Sequence, residues 1–251
     1  MKVVNNVMYI GAYAAPDLVE RFGSPLFVYE EAILRERCRE LQRLASSAGV
    51  IVNYSCKANG NVALLQIIRN EGLNVDAMSP GEIFLELAAG FEPRQILYIG
   101  NNVSREELKY AIDAGVRVSV DSLSQLEDFG SLNPGGGVFV RINPGVSDGH
   151  HKKVATGEKG KFGVTKDRVG DIKRIAREYN IKVVGINMHI GSCFLQPELK
   201  PKGSVERFES ERAKPPNAPA KDKCAQSSPA GRSVRCSPRP HIASPPFFPV
   251  Q

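Results

Sequence analysis

From residue 25 onward the chain alternates two kinds of segment. Short apolar runs rich in β-branched residues fall at 26–29, 50–54, 73–77, 96–99, 117–120, 137–142 and 182–188, and each reads as a buried strand. Between them apolar residues recur at helical spacing, as in Ile33, Leu34, Cys38, Leu41 and Leu44, and again in Val169, Ile172, Ala176 and Tyr179. Helix starts are marked by Ser79-Pro80-Gly81-Glu82, by Ser104 with Glu107 and by Ser122 with Gln125, all in the pattern of a capping box. Gly72, Gly90 and Gly115 stand where a left-handed helix end is expected.

Strand starts near residues 50, 73, 96, 117 and 137 lie 20 to 23 residues apart, the length of one βα unit. The next start is near 182, and the excess length is a loop over 143–164 rich in Gly, His and Lys. A loop of that length inside a domain is functional or disordered. Repeated βα units imply a parallel sheet, either closed into a barrel or open and doubly wound. No GxGxxG follows the first strand, while Lys57, Asp76, Asn101, Asp121, Arg141 and His189 fall at the C-terminal ends of successive strands. Barrels place their chemistry at that end, which favours the barrel. Setting 26–29 aside because it precedes the first long helix, six strands are counted against the eight of a closed barrel. The expected fold is therefore α/β, an incomplete (β/α)8 TIM barrel of about six βα units.

Composition divides the chain of 251 residues, which carries 33 Lys and Arg against 27 Asp and Glu, a net charge of +6. Residues 197–251 hold 10 of the basic and 5 of the acidic residues, so residues 1–196 are nearly neutral at 23 against 22. The same last segment has 11 of the 17 prolines and only five Leu, Ile or Val. It lacks the apolar surface to offset the entropy of ordering, and a disordered Pro-rich basic tail is expected there. Its cations are not interleaved with aromatic residues, so no nucleic-acid partner is expected. No apolar run reaches the length of a membrane span, and no secretory signal is visible, so no membrane partner and a cytoplasmic setting are expected. The five cysteines form no CxxC pair, which speaks against a zinc site. The expected organisation is an N-terminal segment (1–25), the barrel (26–196) and the tail (197–251).

Candidate chemistry sits in the near-neutral part. Lys57 directly follows an apolar strand; at the inner end of a barrel strand a lysine is desolvated, which frees its amine for Schiff-base chemistry. His189 ends the sixth strand and offers either a core histidine or an aromatic surface for a flat ring, with Gly191 and Ser192 as donors to a phosphate. Asp76 lies too deep in its strand to cap a helix and is expected to face the barrel mouth. Glu82 has a capping role available with Ser79. Arg141 is a charge inside a core strand, where unpaired burial is costly, so it is expected to pair with a carboxylate or contact an anion. His150 and His151 are adjacent and diverge in an extended chain, a weak basis for metal binding. Gly135-Gly136-Gly137 precedes a strand rather than a helix and reads as a turn.

An ordered set of motifs resembles the pyridoxal-phosphate decarboxylases with an alanine-racemase-like barrel, and within them the diaminopimelate decarboxylase branch. The set comprises Gly23-Ser24-Pro25-Leu26-Phe27-Val28-Tyr29, Tyr54-Ser55-Cys56-Lys57-Ala58-Asn59, Val75-Asp76-Ala77-Met78-Ser79-Pro80-Gly81-Glu82, Arg141-Ile142-Asn143-Pro144-Gly145, Lys161-Phe162-Gly163 and His189-Ile190-Gly191-Ser192. The resemblance implies pyridoxal 5'-phosphate as cofactor, an amino acid as small-molecule substrate and a homodimer completed by a further domain. It implies that Lys57 attaches the cofactor, that His189 stacks on its ring, and that Ser192, with Gly191, binds its phosphate. Asp76, Glu82 and Arg141 would line the site. Lys57 and His189 would be the catalytic residues, and no metal is implied.

Beyond residue 193 the resemblance stops. The family's glycine-rich phosphate loop, its Glu-Pro-Gly-Arg segment, its Cys-Glu-Ser motif and its late tyrosine do not occur in 194–251. The break suggests a truncated homologue with a frameshift or misjoined segment, unable to turn over substrate alone. Two other readings stay open: a single-barrel cofactor-binding or racemase-like protein, or another amino-acid decarboxylase of the family, and, from a different class, a non-catalytic protein that binds acidic partners through its tail.

Overall fold

Three short antiparallel strands open the chain: β1 (Lys2–Val4), β2 (Val7–Ile10) and β3 (Tyr13–Ala14), with Val4 opposite Val7 and Ile10 opposite Tyr13. Asn5 and Asn6 join the first two, both at positive φ, as a two-residue hairpin turn demands. Helix α1 (Ala15–Phe22) follows. In this computed structural model the described residues are 1–143, 148–149, 161–189 and 191–192, all within one compact unit, Met1–Ser204. The 197–251 tail and the His150–His151 pair lie outside them.

Helix α2 (Glu31–Ala48) leads into repeated βα units: β4 (Asn53–Ser55), α3 (Val62–Asn70), β5 (Asn74–Ala77), α4 (Pro80–Ala88), β6 (Ile96–Tyr98), α5 (Arg105–Asp113), β7 (Arg117–Val120), α6 (Leu123–Leu132) and β8 (Gly137–Asn143). Then come the short strands β9 (Asp148–Gly149) and β10 (Val164–Thr165), helix α7 (Val169–Glu178), β11 (Lys182–Asn187) and β12 (Gly191–Ser192). Strands β4, β5, β6, β7, β8 and β11 pair in that order, all parallel, and β10 extends the sheet beside the end of β8. This is the expected parallel α/β sheet of about six βα units.

The helix signals work as written, with one variation. Ser104 and Glu107 form a reciprocal capping box. Ser79 and Ser122 also cap their helices, but Glu82 and Gln125 reach one residue further back, accepting from the Met78 and Asp121 amides. Gly72, Gly90 and Gly115 all have φ near +80° where their helices end.

The core lies between sheet and helices. Val75, Ala77, Ile96, Tyr98, Val118, Val120, Val138 and Val140 point to the helix layer and are buried, packed against Leu65, Ile68, Ile83, Leu126, Phe129 and Ile175. The expected strand at 26–29 does not form: the segment joins no ladder, and Phe27 is 86% exposed. Among the described residues no strand lies beside it to complete its hydrogen bonds, and an apolar run alone does not make a strand. At the other edge Val183 and Ile186 of β11 are exposed, with no described helix over them. No helix among the described residues is long and apolar enough to cross a membrane.

Candidate active site

Strand periodicity sends every second residue to the face opposite the helices. Ser55 stands level with Asp76, Asp76 with Leu97, Ser119 with Phe139, and Arg141 with Asn187. One face of the sheet therefore carries Ser55, Asp76, Ser119, Arg141 and Asn187. At its C-terminal end a cavity of about 260 Å³ is lined by Ser55, Lys57, Asp76, Met78, Ile99, Asn101, Arg141, Phe162 and Asn187 to His189. Five of the six strand-end residues marked in the sequence meet there: Lys57, Asp76, Asn101, Arg141 and His189. Asp121 is buried next to Arg141 but outside the lining.

Lys57 rides on a single 3-10 turn, Cys56–Ala58, at the end of β4. The expectation that it is desolvated is not met: it is exposed at the cavity rim. The cause is position, since β4 is an edge of the sheet and no described strand screens it. Asp76 accepts a hydrogen bond from Ser55 Oγ at 2.9 Å. Burial pushes its carboxyl above the usual range, against the pull of Ser55 and the Lys57 charge. Glu82 does not line the cavity; its carboxylate holds the Met78 amide at 2.6 Å and so fixes a cavity wall.

Arg141 is only 7% exposed. Its Nη1 donates to Asn101 Oδ1 at 3.0 Å, and its guanidinium lies 5.3 Å from the Phe162 ring centroid. Burial lowers its pKa while Asp121 opposes that shift; burial raises Asp121, and Arg141 opposes that in turn. The two are buried charges of opposite sign that act on each other through space. Asn187 Nδ2 donates to Ser119 Oγ at 3.2 Å, bracing the inner face. His189 is exposed at the mouth, yet partial desolvation of its ring, then the charges of Arg141 and Lys57, hold its pKa below the usual value. That direction favours the neutral imidazole. Gly191 and Ser192 pair in parallel with Asp148 and Gly149.

Ser55, Phe162 and Asn187 are site residues that single-residue reasoning passed over. Ser55 was legible from its position two residues before Lys57 on the inner-face alternation. Its role is testable. Ser55→Ala is expected to raise the Asp76 pKa, read by carboxyl-carbon NMR titration, and to cost about 1–2 kcal/mol at neutral pH. A carboxyl already raised by folding loses stability as pH rises through its folded value, so the cost shrinks toward pH 4. A cost equal at both pH values rules out the Asp76 bond as its source.

Residues 31–200 match the family model for the pyridoxal binding domain of pyridoxal-dependent decarboxylases. Diaminopimelate decarboxylase of Methanothermobacter thermautotrophicus is 44% identical over 195 residues, 76% of this chain and 46% of the relative. That of Bacillus subtilis is 36% identical over 194 residues, 73% of this chain and 44% of the relative. The crystal structure of the M. jannaschii diaminopimelate decarboxylase in co-complex with L-lysine superposes with a TM-score of 0.66 at 32% identity, over 76% of this chain and 48% of that one. The chain spans about half the length of the curated relatives it matches. The family model covers well over half of the chain, and its match coincides with the parallel sheet that gathers Lys57, Asp76, Arg141 and His189 at one cavity: the chain belongs to the pyridoxal-dependent decarboxylase family.

Proposed function

We propose that residues 26–196 form the cofactor-holding part of an amino-acid decarboxylase of diaminopimelate type, with Lys57 as the attachment point for pyridoxal phosphate. The observation that carries this reading is the convergence of a reachable amine, Lys57, with Asp76, Arg141 and His189 around one open cavity. The donor set suits the group. An aldehyde needs a primary amine, a pyridine ring needs a flat neutral neighbour, and an anionic phosphate needs cations and backbone N–H groups. Lys57 meets the first need and His189, whose surroundings favour the neutral ring, the second. Arg141 supplies fixed positive charge, and the Gly191–Ser192 backbone is assigned to the phosphate by motif.

When bound, pyridoxal phosphate supplies the electron sink for the pair left behind as carbon dioxide departs. The chain's own residues set the stage. Asn101 and Phe162 hold Arg141 in one orientation, so its charge is preorganised rather than recruited. Ser55 holds the Asp76 carboxyl in place on the cavity wall it shares with Lys57. Glu82 keeps Met78 in place as an apolar wall.

Borohydride reduction of the protein with pyridoxal phosphate, followed by peptide mapping, is the test. Label concentrated on Lys57 is expected, and label spread evenly over surface lysines, or none, would sink the reading. In the same samples no carbon dioxide release from diaminopimelate is expected from this chain by itself, because the glycine-rich loop and Glu-Pro-Gly-Arg segment implied by the resemblance do not occur in 194–251.

A further inference from the structure

The inner face of α4 carries an acid where its spacing calls for an apolar residue. Ile83 and Glu86, one turn apart, are both 0% exposed. Neither Glu86 oxygen has a hydrogen-bond partner of normal geometry. The group facing it is the Cys56 thiol, a weak donor, itself buried. Cys56 is the residue before Lys57, in the single 3-10 turn that presents the lysine, and α4 packs directly on that turn. The packing is close: a Cβ on Gly60, just past the turn, would meet Leu85 Cδ1 at 3.2 Å and Cys56 Sγ at 3.5 Å.

We propose that Glu86 is a pH-sensitive positioning residue: as the neutral acid it lets α4 clamp the Cys56–Ala58 turn, and its ionisation loosens that turn and the lysine on it. The role assigned to the lysine rests on the reading of Lys57 given above; the clamp itself does not.

Electrostatics point the same way. Burial, then the carboxylates of Glu82 and Asp76, push the Glu86 pKa up to about 8. Burial, then Glu86 and Glu82, push the Cys56 thiol up to about 12, so the thiol does not ionise in Glu86's place. Lys57 rides on the turn packed against α4, but its side chain is exposed at the cavity rim; the other described elements packed on α4 bring no cation to bear on Glu86. Arg69 of α3 donates to the Ala89 carbonyl at 3.0 Å, Lys109 of α5 pairs with Asp113, and Tyr98 of β6 is coupled to Glu107. An ionised Glu86 would thus be a buried anion beside two others, with local opening as its relief.

The test reads Cys56 accessibility and needs no cofactor. Iodoacetamide labelling of the full chain is followed from pH 6.5 to 9, with peptide mapping that scores Cys56 and Cys38 separately. Each rate is divided by that of Glu86→Gln at the same pH, which cancels the rise of exposed-thiol reactivity with pH. An ionised Glu86 raises the pKa of a still-buried Cys56 thiol and so lowers the ratio, opposite to the rise expected from opening. The ratio at Cys56 is expected to rise roughly tenfold or more across the range, following the ionised fraction of an acid near 8. The ratio at Cys38, buried on α2, is expected to stay flat. Glu86→Leu serves as a second reference and is expected to behave like Glu86→Gln. A flat ratio at Cys56, or a parallel rise at Cys38 that marks global unfolding, overturns the proposal. In a second arm, reductive labelling of Lys57 by pyridoxal phosphate is expected to fall in wild type relative to Glu86→Gln as pH rises. Absence of Lys57 label in every variant would defeat the cofactor reading, while the Cys56 ratio still decides the clamp.

Discussion

Arg141→Met is expected to cost about 1–3 kcal/mol at neutral pH, because it removes the positive charge that eases burial of the Asp121 carboxylate. Arg141 and Asp121 are 7% and 8% exposed, and each acts on the other's ionisation. Methionine fills much of the arginine stem's volume, so loss of charge dominates loss of packing. The pH dependence separates the two. The Asp121 pKa already lies above its ordinary value because burial outweighs the help from Arg141. Without Arg141 it moves further up. A carboxyl whose folded pKa exceeds its unfolded one loses stability as pH rises from the unfolded value through the folded one. The deficit of Arg141→Met should therefore be small near pH 4 and grow toward neutrality, as measured by urea melts at both. Adding Asp121→Asn should restore most of the loss. An equal deficit at both pH values, or no recovery in the double variant, would assign the cost to the Asn101 and Phe162 contacts instead.

That pair shows what the sequence could and could not reveal. Arg141 and Asp121 were legible singly, as charges at the ends of β8 and β7, because strand ends follow from the apolar runs. The starts of β5, β6, β7, β8 and β11 fall within one residue of the positions read from the pattern. Serine caps and helix-ending glycines were equally readable, being local chemistry. What was not legible depended on neighbours. Lys57 was expected to be desolvated, but exposure depends on what lies beside an edge strand, which periodicity does not contain. Residues 26–29 have strand composition, yet a strand needs a partner. The N-terminal hairpin was missed although Asn5-Asn6 is turn chemistry, since the runs beside it are only three and four residues long. Glu86 breaks the apolar pattern of α4 at one position, which reads as surface until the helix is docked. Likewise Lys161-Phe162-Gly163 was marked as a motif, but nothing in the sequence said that Phe162 would meet Arg141.

Gly163→Val is the second large effect, expected to cost about 3 kcal/mol or more from left-handed strain and overpacking together. Gly163 has φ of +87°, and a Cβ there would meet Asn143 N at 2.8 Å and the Ile142 carbonyl carbon at 3.1 Å. These are backbone atoms of β8 and cannot swing aside as a side-chain tip would. The Gly163 amide also donates to the Asp121 carbonyl at 3.0 Å, and the next two residues pair with Ile142 and Asn143. Relief of the clash thus requires β10 to leave β8, which carries Phe162 away from Arg141. Stability and the Arg141 orientation should therefore fall together: a lower urea midpoint, accompanied by weaker reductive labelling of Lys57 at limiting pyridoxal phosphate. Gly163→Ala should show the same signs at smaller size. Gly170 in the first turn of α7 provides the contrast, since its φ is not positive and its Cβ would meet nothing within 4 Å. Gly170→Ala should stabilise by about 0.4–1 kcal/mol through the unfolded chain and leave labelling unchanged. If Gly163→Val and Gly170→Ala proved equally benign, the close approach of β10 to β8 would not be what holds Phe162 against the arginine.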